Sequence, residues 1–315
     1  MRDITVIGGL TLLVLGGTAL AGAVGQETSL PLQIEEIKAG LYVITGSGGN
    51  VAARVTSDSV VLVDDKFERN HDDIMQLVGE VSDRPIAYVL GTHHHGDHMG
   101  GNPSFAAHAK IIAHANARVN MLAGGQPAPP PVVFRRTTSV FVGDIEIKAH
   151  HFGPGHTNGD AVVEFPDLRT IHTGDLVVEG TPFIDYANGG STADWVETLG
   201  KILELDFDTA IPGHGPIMVK ADVQQFRDRL VTLRARMSQL IDSGVPEESV
   251  SSHLYTVDLD WPLAPDGLFV SRSLPGFYRE MTEISEMSEV ADPGEVPAET
   301  TEDETVETPD NAPPQ

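Results

Sequence analysis

The run Gly91-Thr-His-His-His-Gly-Asp-His-Met-Gly-Gly101 constrains this chain more than any other stretch, because it follows the apolar segment 85–90 without a break. A short apolar run bounded by turn residues reads as a buried strand, so the histidines emerge at a strand's C-terminal end. In extended backbone, residues two apart face the same side. His93 and His95 therefore point together, and His94 points away. Gly96 lets the chain turn, so Asp97 and His98 approach from another direction. Imidazole nitrogens and carboxylate oxygens are zinc donors, and a hydrolytic zinc site leaves one position for water. The His-x-His-x-Asp-His pattern thus offers two ligand pairs. Donors this close cannot complete two metal spheres, so the rest must come from distant segments.

Three further turns carry suitable side chains. His156 lies in Gly-Pro-Gly-His-Thr-Asn-Gly-Asp, Asp175 in His-Thr-Gly-Asp, and His214 in Ile-Pro-Gly-His-Gly-Pro. Each follows a predicted strand, as the first cluster does. Strands are expected at 32–37, 41–44, 51–55, 60–63, 85–90, 110–113, 139–142, 145–150, 161–165, 170–172 and 207–211. Helical spacing covers 68–81, with short helices at 106–108 and 115–122, a capped helix over 191–205 and a long amphipathic one over 219–243. Smaller helical pieces run on to 283. Two sheets covered by helices on both outer faces is the economical α/β arrangement. Proline excludes 124–133 from helix or central strand, and the stretch 121–133 is the candidate lid. Phe183, Tyr186 and Asn188 are candidate pocket residues, whereas Trp195 and Trp261 are expected to pack in the core.

The two ends read differently from the middle. Arg2, an apolar run from Ile4 to Leu20 and the small-x-small triplet Ala21-Gly22-Ala23 fit a secretory signal peptide over 1–23. Export predicts a periplasmic or secreted protein with no stable membrane insertion after cleavage. The chain has no cysteine, which rules out a disulfide framework and a lipid-modified cysteine. Residues 283–315 are acidic and proline-containing, without Lys or Arg, and are expected to form a disordered tail. A formal net charge of −26 argues against nucleic acid as a partner. Between the ends, 30–245 is the expected catalytic domain, and 246–282 a helical extension packed on it.

The ordered set formed by Asp64 in Val-Val-Leu-Val-Asp-Asp, His93-x-His95-x-Asp97-His98, His156, Asp175 and His214 resembles the five motifs of the metallo-β-lactamase superfamily, over roughly 30–243. The resemblance implies a four-layer αββα sandwich with two zinc ions at one edge. It assigns His93, His95 and His156 to one zinc, and Asp97, His98 and His214 to the other. Asp175 would bridge them and Asp64 would orient the site. The implied enzyme is a periplasmic hydrolase using a metal-bridging hydroxide, oriented by Asp97, to open a cyclic amide or ester such as a β-lactam or lactone. The family's true β-lactamases typically carry Cys or Ser where this chain has Asp175. An aspartate there resembles thioester hydrolases of the glyoxalase II type, which are the alternative. A persulfide dioxygenase using one iron on His93, His156 and Asp175 is a further one. The complete second set favours two zinc ions, with iron and manganese as alternatives. The substrate would be a small molecule.

Overall fold

The computed structural model describes residues 31–291, with side-chain surroundings through Ser285. The expected signal segment and the tail beyond Ala291 lie outside the described residues. Seven strands form the first sheet in sequence order: β1 (Gln33–Lys38), β2 (Leu41–Thr45), β3 (Val51–Val55), β4 (Val60–Val63), β5 (Ile86–Gly91), β6 (Lys110–His114) and β7 (Val132–Phe134). Six form the second: β8 (Thr137–Val142), β9 (Ile145–His150), β10 (Val162–Phe165), β11 (Thr170–Val178), β12 (Thr209–His214) and β13 (Met218–Val219), ordered β13-β12-β11-β10-β9-β8. The helices are α1 (His71–Val81), α2 (Gly96–Met99), α3 (Asn102–Phe105), α4 (Ala115–Ala123), α5 (Thr192–Ile202), α6 (Lys220–Asp242), α7 (Glu247–His253) and α8 (Leu274–Ala291). None of the described helices is long and apolar enough to cross a membrane.

Period-two alternation builds the layers. On β4, Val61 and Val63 point into the space between the sheets, while Val60 and Leu62 point to the helices outside. On β10, Val163 faces inward and Val162 outward; on β12, Ile211 faces inward and Ala210 outward. Both faces of these strands are buried, which is why they read as continuous apolar runs. Ile74, Val78, Phe105 and Ala117 cover the outer face of the first sheet. Trp195, Leu199, Phe226 and Leu230 cover that of the second. The expected αββα sandwich is therefore present.

Parallel pairing places the strand ends. β4, β5, β6 and β7 are parallel neighbours, and so are β11 and β12. A parallel strand needs a crossover, so both sheets release their chains at one edge, where loops have room to carry ligands.

Several expectations need correction. Residues 106–108 form a turn; the short helix is Asn102–Phe105, where Pro103 suits a first turn lacking a donor requirement. The end of the proline stretch pairs with β6 as β7, at the sheet's edge, where proline is tolerated. β11 extends to Val178 through register irregularities, so Asp175 lies within a distorted strand rather than beyond its end. α8 runs to Ala291, past the boundary expected at 283. Residues 246–282 share one core with the second sheet's helices: Phe226 bridges Trp195 and Trp261, with ring centroids 5.9 and 5.3 Å away.

Candidate metal centre

Four segments converge on the open edge of the sandwich: the chain leaving β5, the β9–β10 loop, the distorted part of β11 and the end of β12. His93 Nε2 lies 3.1 Å from His95 Nδ1, which lies 2.9 Å from His156 Nε2. Asp175 Oδ2 completes this first group, 3.6 Å from His156 Nε2 and 3.9 Å from His93 Nε2. In the second group His98 Nε2 and His214 Nε2 are 3.2 Å apart, and Asp97 Oδ2 is 3.6 and 3.2 Å from them. The other carboxylate oxygen, Asp175 Oδ1, faces this group at 3.1 Å from His98 Nε2 and 3.5 Å from His214 Nε2. All seven side chains singled out in the sequence thus meet, and Asp175 turns one oxygen to each group.

Four of the imidazoles are fixed from behind. His93 Nδ1 donates to Thr92 Oγ1 (3.0 Å), His95 Nε2 to Asp185 Oδ2 (2.9 Å), His98 Nδ1 to Asp64 Oδ2 (2.8 Å) and His156 Nδ1 to the Phe183 carbonyl (2.7 Å). With the far nitrogens so engaged, the near nitrogens are aimed at common points where they could present lone pairs to a bound cation. Asp64 also accepts from the Thr92 amide and hydroxyl at 2.7 and 2.8 Å. It is fully buried in a left-handed conformation (φ 65°) that costs a non-glycine residue energy, so its neighbours must hold it there.

Close approach at two glycines makes room. A Cβ on Gly49 would stand 2.2 Å from the His98 ring, and one on Gly213 2.0 Å from Asp175 Oδ1. Asn50 ties those two turns together, donating from its side chain to the carbonyls of Pro212 and Gly215, each at 2.9 Å. Lys66, wholly buried, donates to the Gly49 carbonyl.

The electrostatics call for a cation. Burial, with the charge of His98, holds His93 well below the usual histidine range, and burial brings His156 down to about 4. Burial also opposes a charged His98, yet the Asp175 and Asp64 carboxylates outweigh it and hold His98 well above that range. Asp175 stays well below the carboxylate range despite its burial, through His98, His93 and His156. Burial likewise opposes ionisation of Asp97, but His214 and His98 bring it down to about 2. Asp175 Oδ1 is buried without a well-aligned donor. Within each group the ligand atoms lie within 4.8 Å of one another, and lone pairs and carboxylate oxygens so gathered are stabilised by positive charge among them. Imidazole and carboxylate are the donors a divalent transition metal takes, and the residues fit such an ion.

His94 joins neither group. Its Nε2 is 3.8 Å from Asp185 Oδ2, and burial with the neighbouring His95 lowers it to about 4. His94, His95 and Asp185 form a third cluster. Its shared oxygen, Asp185 Oδ2, already accepts from His95 and from Asn188 Nδ2 at 2.6 Å, so the carboxylate serves to orient His95. Sequence reasoning missed Asp185, Thr92, Asn50 and Lys66. Asp185 sits between the candidate pocket residues Phe183 and Tyr186, but a lone aspartate in a turn has no local signature.

The two groups open into a cleft of about 490 Å³ whose further walls include Val178, Glu179, Phe183, Leu268 and Arg272. Tyr186 and Asn188 line an adjoining cavity with His94, His95 and Asp185. The stretch 121–133, expected as a lid, lines neither. Arg118 of α4 donates to the carbonyls of Pro129 and Pro130 at 3.2 and 2.8 Å and fastens that loop elsewhere. Leu268 and Arg272, from the C-terminal extension, stand at the cleft instead.

A four-layer sandwich with a His/Asp cluster across the ends of both sheets defines a class of metal-dependent hydrolases. The sequence profile described as "Metallo-beta-lactamase superfamily" matches residues 56–214, and the chain belongs to that superfamily. A metallo-β-lactamase type 2 of Elizabethkingia meningoseptica is 28% identical over 204 residues, covering 60% of this chain and 80% of that protein. The crystal structure of the DIM-1 metallo-β-lactamase shares the fold with a TM-score of 0.58 at 18% identity, covering 65% of this chain and 99% of that one. The mono-zinc form of FIM-1 from Pseudomonas aeruginosa gives 0.57 at 19% identity, covering 69% and 98%.

Proposed function

We propose that this metallo-hydrolase is a periplasmic enzyme that holds two zinc ions and opens a cyclic amide or ester, a β-lactam or lactone. One observation carries the reading: Asp175 turns an oxygen to each of two complete donor groups. His93, His95 and His156 would hold one ion and Asp97, His98 and His214 the other. Bound zinc supplies an activated water near neutral pH and polarises the carbonyl under attack.

The chain's own side chains do the rest. Asp97 is partly exposed to the cleft and held ionised, so it accepts a hydrogen bond from the attacking water and orients it. Asp64, Asp185 and the Phe183 carbonyl keep three imidazoles in the ligating tautomer. Phe183, Val178 and Leu268 give the cleft an apolar wall that excludes competing water. Similarity to the type 2 metallo-β-lactamase of Elizabethkingia meningoseptica supports a β-lactam. Asp175, in a position where Cys or Ser is typical of true β-lactamases, supports thioester hydrolysis as the second reading.

The test is turnover of a panel by the purified zinc-loaded protein: a bicyclic β-lactam, a γ-lactone and an acyl thioester. Opening of either ring at a rate abolished by chelation is expected. Thioester cleavage alone would replace this reading with the second one, and oxygen uptake with a persulfide would replace both.

A further inference from the structure

We propose that Glu280, on the C-terminal helix α8, is a positioning residue for the first donor group, because it anchors the loop that aims His95 and His156. The inference rests on the reading that this group holds an ion, and not on which ring is opened. Glu280 lies far beyond residue 214, where the family match ends.

The loop 183–191 stands behind two of that group's three imidazoles. The Phe183 carbonyl accepts from His156, and Asp185 accepts from His95. The same loop is stitched to the turn that carries His156. The Asp185 amide donates to the His156 carbonyl (2.9 Å), the Asn158 amide to the Asn188 carbonyl (3.0 Å) and the Ser191 amide to the Gly155 carbonyl (3.0 Å). A shift of this loop therefore moves both ring partners together.

One stripe of the C-terminal extension is shaped to receive that loop. Ser273, Gly276 and Glu280 are spaced three and four apart, so they lie one above another on a helix face. Ser273 Oγ accepts from the Ile184 amide at 2.8 Å and donates to the Ile184 carbonyl at 3.1 Å, which fixes the residue between Phe183 and Asp185. Gly276 lets the Tyr186 ring lie against the helix: a Cβ there would stand 2.4 Å from the ring. Four residues on, the Glu280 carboxylate accepts from Tyr186 Oη at 2.9 Å. It also accepts from Ser191 Oγ (2.7 Å) and from the amides of Thr192 and Ala193 (3.2 and 3.3 Å). Those amides belong to the first turn of α5, which has no intrahelical partners for them and whose partial positive charge favours a carboxylate. Arg234 of α6 lies 3.5 Å from Glu280 Oε2 and balances its charge. Tyr186, beside Asp185, and Ser191, at the start of α5, thus meet at one side chain.

The experiment titrates cobalt against a chelator in the metal-free protein, for wild type, Glu280→Gln and Tyr186→Phe. Groups directly behind metal ligands contribute about 10–100-fold in affinity. Glu280 acts one step further back, so Glu280→Gln should weaken the first donor group about tenfold and the second by less than about twofold. Tyr186→Phe keeps the ring and loses only the hydroxyl, and should weaken the first group about threefold. General loosening of the fold would weaken both groups alike, so equal losses, or none, overturn the proposal. A second readout needs no metal: imidazole nitrogen NMR of the metal-free protein. The His95 Nε2 and His156 Nδ1 protons should exchange with water about tenfold faster in Glu280→Gln, as local opening behind them becomes easier. The His98 Nδ1 proton, bonded to Asp64, should be unaffected. Unchanged exchange at His95 and His156 also overturns the proposal. If the wild type takes up no ion yet those protons respond, the two-zinc reading falls and this inference stands. If both groups take up cobalt while affinity and exchange ignore Glu280, the inference falls alone.

Discussion

The two donor groups are not equivalent. In the first, His93 and His156 are each 1% exposed, and all three imidazoles hydrogen-bond an oxygen behind them. In the second, only His98 is so enclosed; the side chains of Asp97 and His214 are 28% and 39% exposed and face the cleft. At the edge of the sandwich the first group is the more enclosed cage, with His95 its most exposed member at 22%, and the second is the more open rim. Enclosure favours retention of an ion, whereas exposure favours exchange and access to substrate.

Substitutions should separate the two groups. The largest effect is expected from Asp175→Ala, which removes an oxygen from each: metal content after dialysis should fall at both positions by more than about a hundredfold in affinity. An intact two-metal site in that variant would refute the bridge. Next, His93→Ala should empty the cage while His214→Ala empties only the rim, as read by elemental analysis and by cobalt spectra of the substituted protein. Losses of equal extent in the two variants would erase the distinction. Asp185→Asn leaves every ligand in place but weakens the hold on His95, so affinity should drop about 10–100-fold in the cage alone. The smallest effect is reserved for His94→Ala, which should keep both metals.

The contrast also explains what could be read from the sequence. The two ligand pairs were legible because strand alternation separates His93 and His95 from His94, and because Gly96 redirects Asp97 and His98; the allotment of His156 and His214 to them came from the family resemblance. The sandwich was legible because β4, β5 and β10 are apolar on both faces. His156, Asp175 and His214 emerged as a set, each beside glycine at a strand-associated turn, although β11 proved long enough to contain Asp175. The supporting residues were not legible. Asp185 reaches His95 across 90 positions and Asn50 reaches Pro212 across 162, and pairings that distant leave no local pattern. The lid was misplaced for a related reason. Proline content excluded 124–133 from helix or central strand, but Arg118 and the Pro129 and Pro130 carbonyls decide where that loop is fastened. The cleft wall comes instead from 268–272, whose location depends on how α8 docks through Glu280.

The most direct test is stepwise chelation of the purified, zinc-loaded protein, followed by metal analysis and activity at each step. A cage and a rim predict two zinc ions per chain, released in two resolved phases, with ring-opening activity lost in the first phase as the exposed group empties. Release of a single ion per chain, or iron in its place with oxygen consumption, would contradict the two-group account.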